Sequence, residues 1–348
     1  MSMGQIEREV FIGGCGRSGT TLLGAILGAH SDCVCPPESH FKIGVLRTCR
    51  AEDGTIDLEE ALSFIRMHWR FKLWNLELDP RRAPVSSYAD LLRWLVASYA
   101  QDRGMHGGTW VDHTPENVNY ARLLLELFPE AKLVHIVRDG RAVANSILPL
   151  DWGPNTVIEA APWWRETVRE GLALEETLPA DQIVRVTYED LVYEPEPTVR
   201  RLCEGLGLAY EPAMLEADGF RPPGYTAAQH ELIGERPQPQ RAVRWRRTLT
   251  DRQVEIFESL AADLLGRLGY ELLYGPEAEP PTLWERSGAA VKEFVRGDII
   301  NGIRWLIRSY PLWLSWDFLR VLPDTWTAYQ KGDLEEPPEP VRGDGDEG

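Results

Sequence analysis

A glycine-rich stretch near the start of the chain, F-I-G-G-C-G-R-S-G-T-T at residues 11–21, constrains the fold more than any other feature. Apolar residues 10–12 are predicted to end a buried strand, and residues 18–29 carry apolar side chains at helical spacing. The glycines between them permit a tight turn whose backbone N–H groups point inward. Since the first N–H groups of a helix lack partners within it, the arrangement predicts a site for a phosphate or a ligand of that shape.

The loop departs at one position from the pattern of nucleoside triphosphate-binding proteins, G-x-x-x-x-G-K-[ST]. Gly14, Gly19 and Thr21 are in register with that pattern, but Thr20 stands where the lysine is expected. Kinases and ATPases of this type use the lysine to reach the β- and γ-phosphates. The only cation in the loop is Arg17. The departure therefore favours a phosphate ligand other than a nucleoside triphosphate.

A second stretch has the same strand-to-helix character. Residues 131–146 read A-K-L-V-H-I-V-R-D-G-R-A-V-A-N-S, with Arg138 at the end of a predicted strand and Ser146 eight residues later. The two stretches together resemble the sulfotransferases that use 3′-phosphoadenosine 5′-phosphosulfate (PAPS), most closely the tyrosylprotein sulfotransferases and their bacterial relatives. The resemblance covers residues 10–274. It implies that the first stretch binds the 5′-phosphosulfate and the second the 3′-phosphate, through Arg17, Ser18, Gly19, Thr20, Thr21, Arg138 and Ser146.

The general base has several candidates when the residues alone are considered. Glu38, His40 and His113 each lie after a predicted strand or in the loop near the site. The resemblance singles out Glu38, because tyrosylprotein sulfotransferases carry a glutamate twenty-one residues after the loop arginine, as Glu38 follows Arg17 here. The flanking A-H-S-D-C-V-C-P-P-E is similar to the family pattern A-H-P-D-x-x-C-x-E-E. The resemblance thus implies that Glu38 removes the acceptor proton.

Four further site residues are implied by the same resemblance, namely His113, Tyr188, Arg244 and Trp245. Relatives carry lysine in D-K-T-P or N-K-D-P, where it helps to neutralise the leaving group, whereas D-H-T-P here has His113, which can be neutral near pH 7. Tyr188, in V-T-Y-E-D-L, and Trp245, beside Arg244, match aromatic residues near the nucleotide. Either aromatic side chain could equally belong to the core.

Strands alternate with helices along the rest of the chain, which predicts an α/β fold with a parallel sheet covered on both faces. The expected strands are 110–112, 132–137 and 183–187, and the expected helices include one at 163–178 opened by Pro162. Ligands of such sheets bind at the carboxyl ends of the strands, where Arg17 and Arg138 would lie. The resemblance implies the parallel sheet of the sulfotransferases, in which a phosphate-binding loop follows the first strand.

The chain divides into three predicted parts. Residues 1–275 form the sulfotransferase domain, with a helical insertion at about 43–108 whose helices are expected at 56–78 and 87–102. Residues 282–326 form a helical C-terminal appendage, and the acidic, Pro/Gly-rich tail at 332–348 is expected to be disordered.

The appendage is rich in apolar surface. Five of the thirteen tryptophans fall between Trp284 and Trp326, and an apolar stripe runs from Val291 to Tyr310. Charged residues interrupt it, so it is not expected to span a bilayer. Two interpretations stay open: packing on the protein's own helices or on a second subunit, as in a homodimer, and peripheral contact with a membrane surface.

Composition limits the partners. The net charge is −17, with 54 acidic against 37 basic residues, which argues against nucleic acid and anionic lipid as bulk electrostatic partners. An anionic ligand must then be held by local cations. No signal peptide or membrane span is recognisable, and five cysteines, an odd number, are typical of reduced thiols, so a cytoplasmic location is expected.

The sequence therefore predicts a PAPS-dependent sulfotransferase that transfers a sulfuryl group by in-line displacement, without a metal. The expected acceptor is a hydroxyl of a small molecule, lipid, glycan or tyrosine. One alternative is a kinase, since Asp139 ends a strand as a magnesium-binding carboxylate would. Another is a non-catalytic nucleotide-binding protein whose partner surface is the C-terminal segment.

Overall fold

The protein is built on one parallel sheet. The computed structural model describes residues 5–76, 78, 86–150, 152–220 and 238–303. Its strands are β1 (Arg8–Gly13), β2 (Cys33–Val34), β3 (Thr109–Asp112), β4 (Lys132–Val137) and β5 (Ile183–Thr187). They lie in the order β2-β3-β1-β4-β5, and every pair of neighbours is parallel. The predicted fold class, a parallel sheet flanked by helices, is confirmed.

The central strand β1 is buried on both faces, as its continuous apolar run predicts. Phe11 points to the layer that holds the inserted helices, where its ring meets the edge of Trp110 at 5.4 Å between centroids. Val10 and Ile12 point to the opposite layer and pack with Leu23 and Ile26. The glycine-rich loop therefore starts from the central strand of the sheet, which is buried from Glu9 to Gly13.

Helices cover both faces of this sheet. In chain order they are α1 (Thr20–Gly28), α2 (His40–Thr48), α3 (Leu58–Met67), α4 (Trp69–Lys72), α5 (Tyr88–Asp102), α6 (Ala121–Leu127), α7 (Gly140–Ile147), α8 (Val157–Thr177), α9 (Tyr188–Tyr193), α10 (Pro195–Leu206), α11 (Gln240–Val243), α12 (Trp245–Thr248), α13 (Asp251–Arg267) and α14 (Leu283–Lys292). Short 3-10 turns include Pro115–Val118 after β3. The insertion between β2 and β3 is helical as expected, with its first helix starting at His40.

Two helix boundaries differ from the sequence prediction. The helix expected at 56–78 is interrupted at His68, whose extended backbone ends α3 and whose ring nitrogen caps α4. The helix expected to open at Pro162 begins at Val157 instead, so that prediction is wrong. Thr156 caps its first turn by accepting from the N–H of Glu159, and burial of the surrounding residues stabilises the helix across the proline.

The C-terminal helix is tied to the main domain by polar contacts. After α14 it continues as a π-helix over Glu293–Asn301. The carboxylate of Glu293 accepts from the Asn155 side chain at 2.7 Å and from the Thr156 hydroxyl at 2.9 Å. The guanidinium of Arg296 donates to the carbonyls that end α7, including that of Leu148 at 3.0 Å and that of Pro149 at 2.8 Å. The two side chains therefore cap the end of one helix and the start of the next.

Apolar side chains of this C-terminal helix remain at the surface. Trp284 is 88% exposed and Leu283 82%, and Val291, Phe294 and Ile303 are more than half exposed. The rest of the predicted appendage and the acidic tail lie outside the described residues. Both interpretations of the appendage, and its boundaries, stay predictions.

None of the helices in the described ranges combines the length and the apolar character needed to cross a bilayer. All five cysteines are buried free thiols. The cytoplasmic location stays a prediction.

Replacing Arg296 by glutamine is expected to lower the free energy of unfolding by about 1–2 kcal/mol, because charge-assisted hydrogen bonds to the end of α7 are lost. Lys292→Gln, one helical turn earlier at an exposed position, is the matched control and should change stability little. Urea unfolding followed by circular dichroism measures both. Equal stability of the two variants would show that these contacts do not hold the helix.

Candidate active site

A polar side chain or loop follows each of the five strands. The glycine loop follows β1, and Glu38 lies four residues beyond the end of β2. His113 directly follows β3, Arg138 directly follows β4, and Tyr188 directly follows β5. Because all five strands are parallel, their carboxyl ends lie along one edge of the sheet. That edge is the candidate site.

The glycine loop has the shape of an anion cradle. Arg17 and Gly19 both have positive φ angles, 70° and 104°, so successive N–H groups turn inward. Glycine is required at position 19 for two reasons. Its φ angle is positive, and a Cβ there would approach the Tyr188 ring to 2.7 Å. Within the described residues, the buried hydroxyl of Ser18 has no hydrogen-bond partner. Thr20 and Thr21, both buried, open α1 beside it.

The two sequence motifs meet at this edge. The Nε of Arg17 donates to the Ser146 hydroxyl at 3.1 Å, across 129 residues of sequence. Arg138 donates to the Arg17 carbonyl at 2.9 Å, and its guanidinium carbon lies 4.0 Å from the centroid of the Tyr188 ring. Four of the predicted cofactor residues are therefore in direct contact with one another.

Arg138 also donates to the carbonyl of Arg241, at 2.9 Å, which draws the segment before Trp245 to the site. Trp245 itself is buried against Ala142, with the Arg141 guanidinium carbon 4.1 Å from its ring. Arg244 is exposed. Contact of Arg244 and Trp245 with a nucleotide stays a prediction.

Asp139, the carboxylate on which the kinase alternative depends, is engaged in an ion pair. Its oxygens accept from the backbone N–H of Arg141 at 2.9 Å and from the guanidinium of the same residue at 2.8 Å. The guanidinium also donates to Glu258 at 2.6 Å. A carboxylate held in this way is poorly placed to bind magnesium, so the structure does not favour a kinase.

Glu38 is held through one of its two oxygens. Its Oε2 accepts from Arg70 at 2.6 Å and from the Nε2 of His40 at 3.0 Å. The other oxygen, Oε1, lies 3.8 Å from the Nδ1 of His113. Burial disfavours the charged carboxylate, but the hydrogen bond from His40 and the positive charge of Arg70 outweigh it and hold the pKa of Glu38 well below its usual range.

His113 is more deeply buried than Glu38. Its ring is 1% exposed and packs against Phe220, with 4.7 Å between ring centroids. A Cβ at Gly24 would approach it to 2.8 Å, so α1 passes directly over the imidazole. Burial lowers the pKa of His113 despite the nearby carboxylates, which makes it a neutral imidazole near pH 7. Neither ring nitrogen has a hydrogen-bond partner among the described residues.

His40 bridges two carboxylates. Its Nε2 contacts Glu38, and its Nδ1 lies 3.1 Å from an oxygen of Glu116. Burial and the charge of Arg70 disfavour a charged ring, but the two carboxylates outweigh them and raise the pKa of His40 to about 9. His40 is therefore an imidazolium at neutral pH and is not a proton acceptor.

A second buried ion pair lies beneath this group. The ammonium of Lys42, which is fully buried, is 3.2 Å from Asp112 and donates to the Ser39 hydroxyl at 3.1 Å. Asp112 also accepts from the backbone N–H of Thr114 and the side chain of Asn117, each at 2.9 Å. These contacts fix the backbone on both sides of His113.

Sequence reasoning missed several of these residues, namely Arg70, Glu116, Lys42 and Asp112. Arg70 is 32 residues from Glu38, and Glu116 is 76 residues from His40. No motif or spacing joins them, since the insertion that carries Arg70 was recognised only as helical. The proximity of Asp112 to His113 was the one available signal.

The raised pKa of His40 predicts a pH dependence of stability. A histidine whose folded pKa is raised contributes stability that is complete below its unfolded pKa of about 6.5 and is lost as pH rises through about 9. From pH 6.5 to 8.5 this loss amounts to about 2 kcal/mol. Urea unfolding at the two pH values measures it, with Glu116→Gln as the comparison. An equal pH dependence in both proteins would show that Glu116 does not hold the proton on His40.

Comparison with known proteins assigns the chain to a family. The profile of the sulfotransferase family matches residues 9–212. Protein-tyrosine sulfotransferase A of Caenorhabditis elegans is 26% identical over 287 residues, which are 78% of this chain and 68% of the worm protein. The nodulation protein NoeE of Sinorhizobium fredii is 30% identical over 292 residues, which are 75% of this chain and 65% of NoeE. The chain spans 40% of the protein-tyrosine sulfotransferase of Drosophila melanogaster, with 25% identity.

Solved structures agree with this assignment. The sulfotransferase domain of a Synechococcus olefin synthase superposes with a TM-score of 0.56 at 26% identity, covering 78% of this chain and 98% of that domain. The sulfotransferase domain from the curacin biosynthetic pathway shares the fold, with a TM-score of 0.54 at 20% identity and coverage of 77% and 100%. With a family match over more than half of its length and the same sheet, this chain belongs to the sulfotransferase family.

Proposed function

We propose that this sulfotransferase transfers a sulfuryl group from PAPS to an acceptor hydroxyl, with Glu38 as the general base. The observation that carries the proposal is the convergence of anion-binding and proton-accepting groups at one sheet edge. The Gly14 N–H donates to the carbonyl of Pro115 at 2.9 Å, which joins the glycine loop to the turn that follows His113. This contact supports a single site for the loop and the proposed base, since Glu38 lies 3.8 Å from His113.

The residues present fit a phosphosulfate and a 3′-phosphate. The unpartnered Ser18 hydroxyl and the inward N–H groups of the loop supply donors for the 5′-phosphosulfate. Arg138 directly follows β4 and Ser146 lies in the last turn of α7, and Arg138 retains an Nε–H with no hydrogen-bond partner in the described chain. In a protein of net charge −17, these local cations are the feature that favours an anionic ligand.

The proposed reaction is an in-line displacement at sulfur. The acceptor oxygen forms a bond to sulfur as the bond from sulfur to the 5′-phosphate oxygen breaks, and the electron pair goes to that phosphate. Glu38 takes the acceptor proton, while Arg17 and the loop N–H groups stabilise the charge on the leaving phosphate. His113 would donate a hydrogen bond toward the leaving group, where relatives have lysine.

The acceptor class is open among small molecules, lipids, glycans and tyrosine. Two of the relatives described above are named protein-tyrosine sulfotransferases, and another is a nodulation protein. An acceptor screen with isotopically labelled PAPS, read by mass spectrometry, tests the proposal. Transfer to any hydroxyl excludes a non-catalytic nucleotide-binding protein. Tighter binding of ADP with Mg²⁺ than of adenosine 3′,5′-bisphosphate would contradict the use of PAPS.

Arg138→Ala is expected to weaken binding of adenosine 3′,5′-bisphosphate tenfold or more while affecting adenosine 5′-phosphate much less. A charge-assisted hydrogen bond to the 3′-phosphate contributes about 1.5–3 kcal/mol. Isothermal titration calorimetry measures both affinities, with Arg200→Ala, an exposed arginine of α10, as the control. If both nucleotides lose affinity equally, Arg138 supports the loop through its contact with the Arg17 carbonyl and does not read the 3′-phosphate.

Glu38→Gln should lower turnover by roughly 10²–10⁴-fold and leave affinity for adenosine 3′,5′-bisphosphate unchanged, because glutamine has no basic oxygen. Steady-state kinetics with the best acceptor from the screen measures the change. Near-normal turnover would move the proton acceptor to His113, the buried and neutral imidazole next to Glu38.

A further inference from the structure

One oxygen of Glu38 is occupied by two donors from separate parts of the chain. Arg70 comes from α4 in the helical insertion, and His40 comes from the first turn of α2. Both donate to Oε2, at 2.6 Å and 3.0 Å. The remaining oxygen, Oε1, lies 3.8 Å from His113, beyond hydrogen-bond distance. Oε1 is therefore the oxygen left to accept a proton.

Both donors are themselves held in place. Arg70 has a side chain that is 3% exposed, and its guanidinium carbon lies 4.8 Å from the centroid of the Trp69 ring. The other ring nitrogen of His40 contacts Glu116, in the turn that follows β3, at 3.1 Å. Two carboxylates thus alternate with two cations in the order Glu116, His40, Glu38 and Arg70. The side chain of Glu38 therefore cannot rotate or exchange its hydrogen bonds without breaking contacts in this arrangement.

We propose that Arg70, His40 and Glu116 are positioning residues for sulfuryl transfer, which hold Oε2 of Glu38 so that Oε1 faces the acceptor hydroxyl. The proposal rests on the proposed role of Glu38 as the base. In the transfer step, the acceptor proton goes to Oε1 as the new oxygen–sulfur bond forms and the electron pair of the breaking bond goes to the 5′-phosphate. The two cations then favour release of that proton from Glu38 to water, which returns the carboxylate to its ionised form.

A carboxylate held by two cations is a weak base, but sulfuryl transfer does not require a strong one. By analogy with phosphoryl transfer, the transition state is loose and the attacking oxygen forms little bond before the leaving group departs. The placement of the proton acceptor then matters more than its strength. This explains why the chain surrounds its candidate base with cations.

The pH profile of kcat/KM tests the proposal with Arg70→Met, which removes the charge at similar length. Among the described residues, the charged and titratable groups that face Glu38 are Arg70, His40, His113, Glu116 and Lys42. Since the carboxylate of the wild-type protein stays ionised, its profile should be nearly level from pH 5.5 to 8. The kcat/KM of the variant should fall tenfold or more as the pH drops from 8 to 5.5. Without the charge of Arg70, burial raises the pKa of Glu38, and the carboxylate becomes protonated within this range. Arg66→Met, at an exposed position in the last turn of α3, should retain the wild-type profile.

A double-mutant cycle separates positioning from a general structural role. Arg70→Met should reduce kcat in the wild-type background but have little further effect in the Glu38→Gln background, because Arg70 acts through Glu38. Affinity for adenosine 3′,5′-bisphosphate and the unfolding midpoint show that each variant is folded. Arg70→Lys, which keeps the charge, should restore the level profile, and it replaces Arg70→Met in the cycle if that variant does not fold.

The outcomes are distinguishable from those of the proposed function. If Glu38→Gln alone leaves turnover near normal, the role of Glu38 as base fails. If Glu38→Gln is impaired but Arg70→Met has an unshifted pH profile and the same effect in both backgrounds, Glu38 remains the base and the positioning proposal is overturned.

Discussion

The parallel alignment of five strands decides where the polar side chains of this protein can lie. Parallel strands end at the same edge of the sheet, so residues that are far apart in sequence lie close together along that edge. The shortest strand, Cys33–Val34, shows this most clearly, because two residues of pairing with β3 are enough to direct the chain toward Glu38. This pairing brings Glu38 to the sheet edge from which the glycine loop leaves β1. The site therefore depends on backbone hydrogen bonds before it depends on any side chain.

Buried ion pairs then hold the loops that leave this edge. Lys42 with Asp112 lies beneath His113, and Arg141 with Asp139 and Glu258 lies beneath Arg138. Such pairs contribute little net stability compared with apolar packing, but removal of one partner leaves a buried charge and is costly. Their effect here is on geometry, since each pair ties a loop to a neighbouring helix. In a chain of net charge −17, these cations offset acidic groups inside the fold.

The sequence was informative where a function requires a contiguous motif. The glycine loop, Arg138 with Ser146, and the strands at 132–137 and 183–187 could be predicted because neighbouring residues carry the signal, and the fold class is confirmed. The partners of Glu38 could not be predicted, because Arg70 belongs to an inserted helix whose only visible property is its apolar spacing. The start of α8 was misplaced for a related reason. Pro162 is a strong local signal, but the cap at Thr156 and burial of the helix outweigh it.

His113, which stands where relatives have lysine, changes which groups of the proposed site can stabilise the charge of the leaving group. A lysine at this position would be a permanent cation, whereas burial keeps the imidazole neutral near pH 7. Arg17 is then the only permanent cation within the glycine loop, and its Nε already donates to the Ser146 hydroxyl in the last turn of α7. In the proposed reaction, most of the leaving-group charge is therefore assigned to Arg17 and the loop N–H groups. A neutral imidazole offers something in return that an ammonium does not, since it can accept a proton as well as donate one. Oε1 of Glu38 lies 3.8 Å away, so the buried ring and the candidate base are neighbours without a hydrogen bond between them, fixed on one side by Lys42 with Asp112 and on the other by Arg70 with His40.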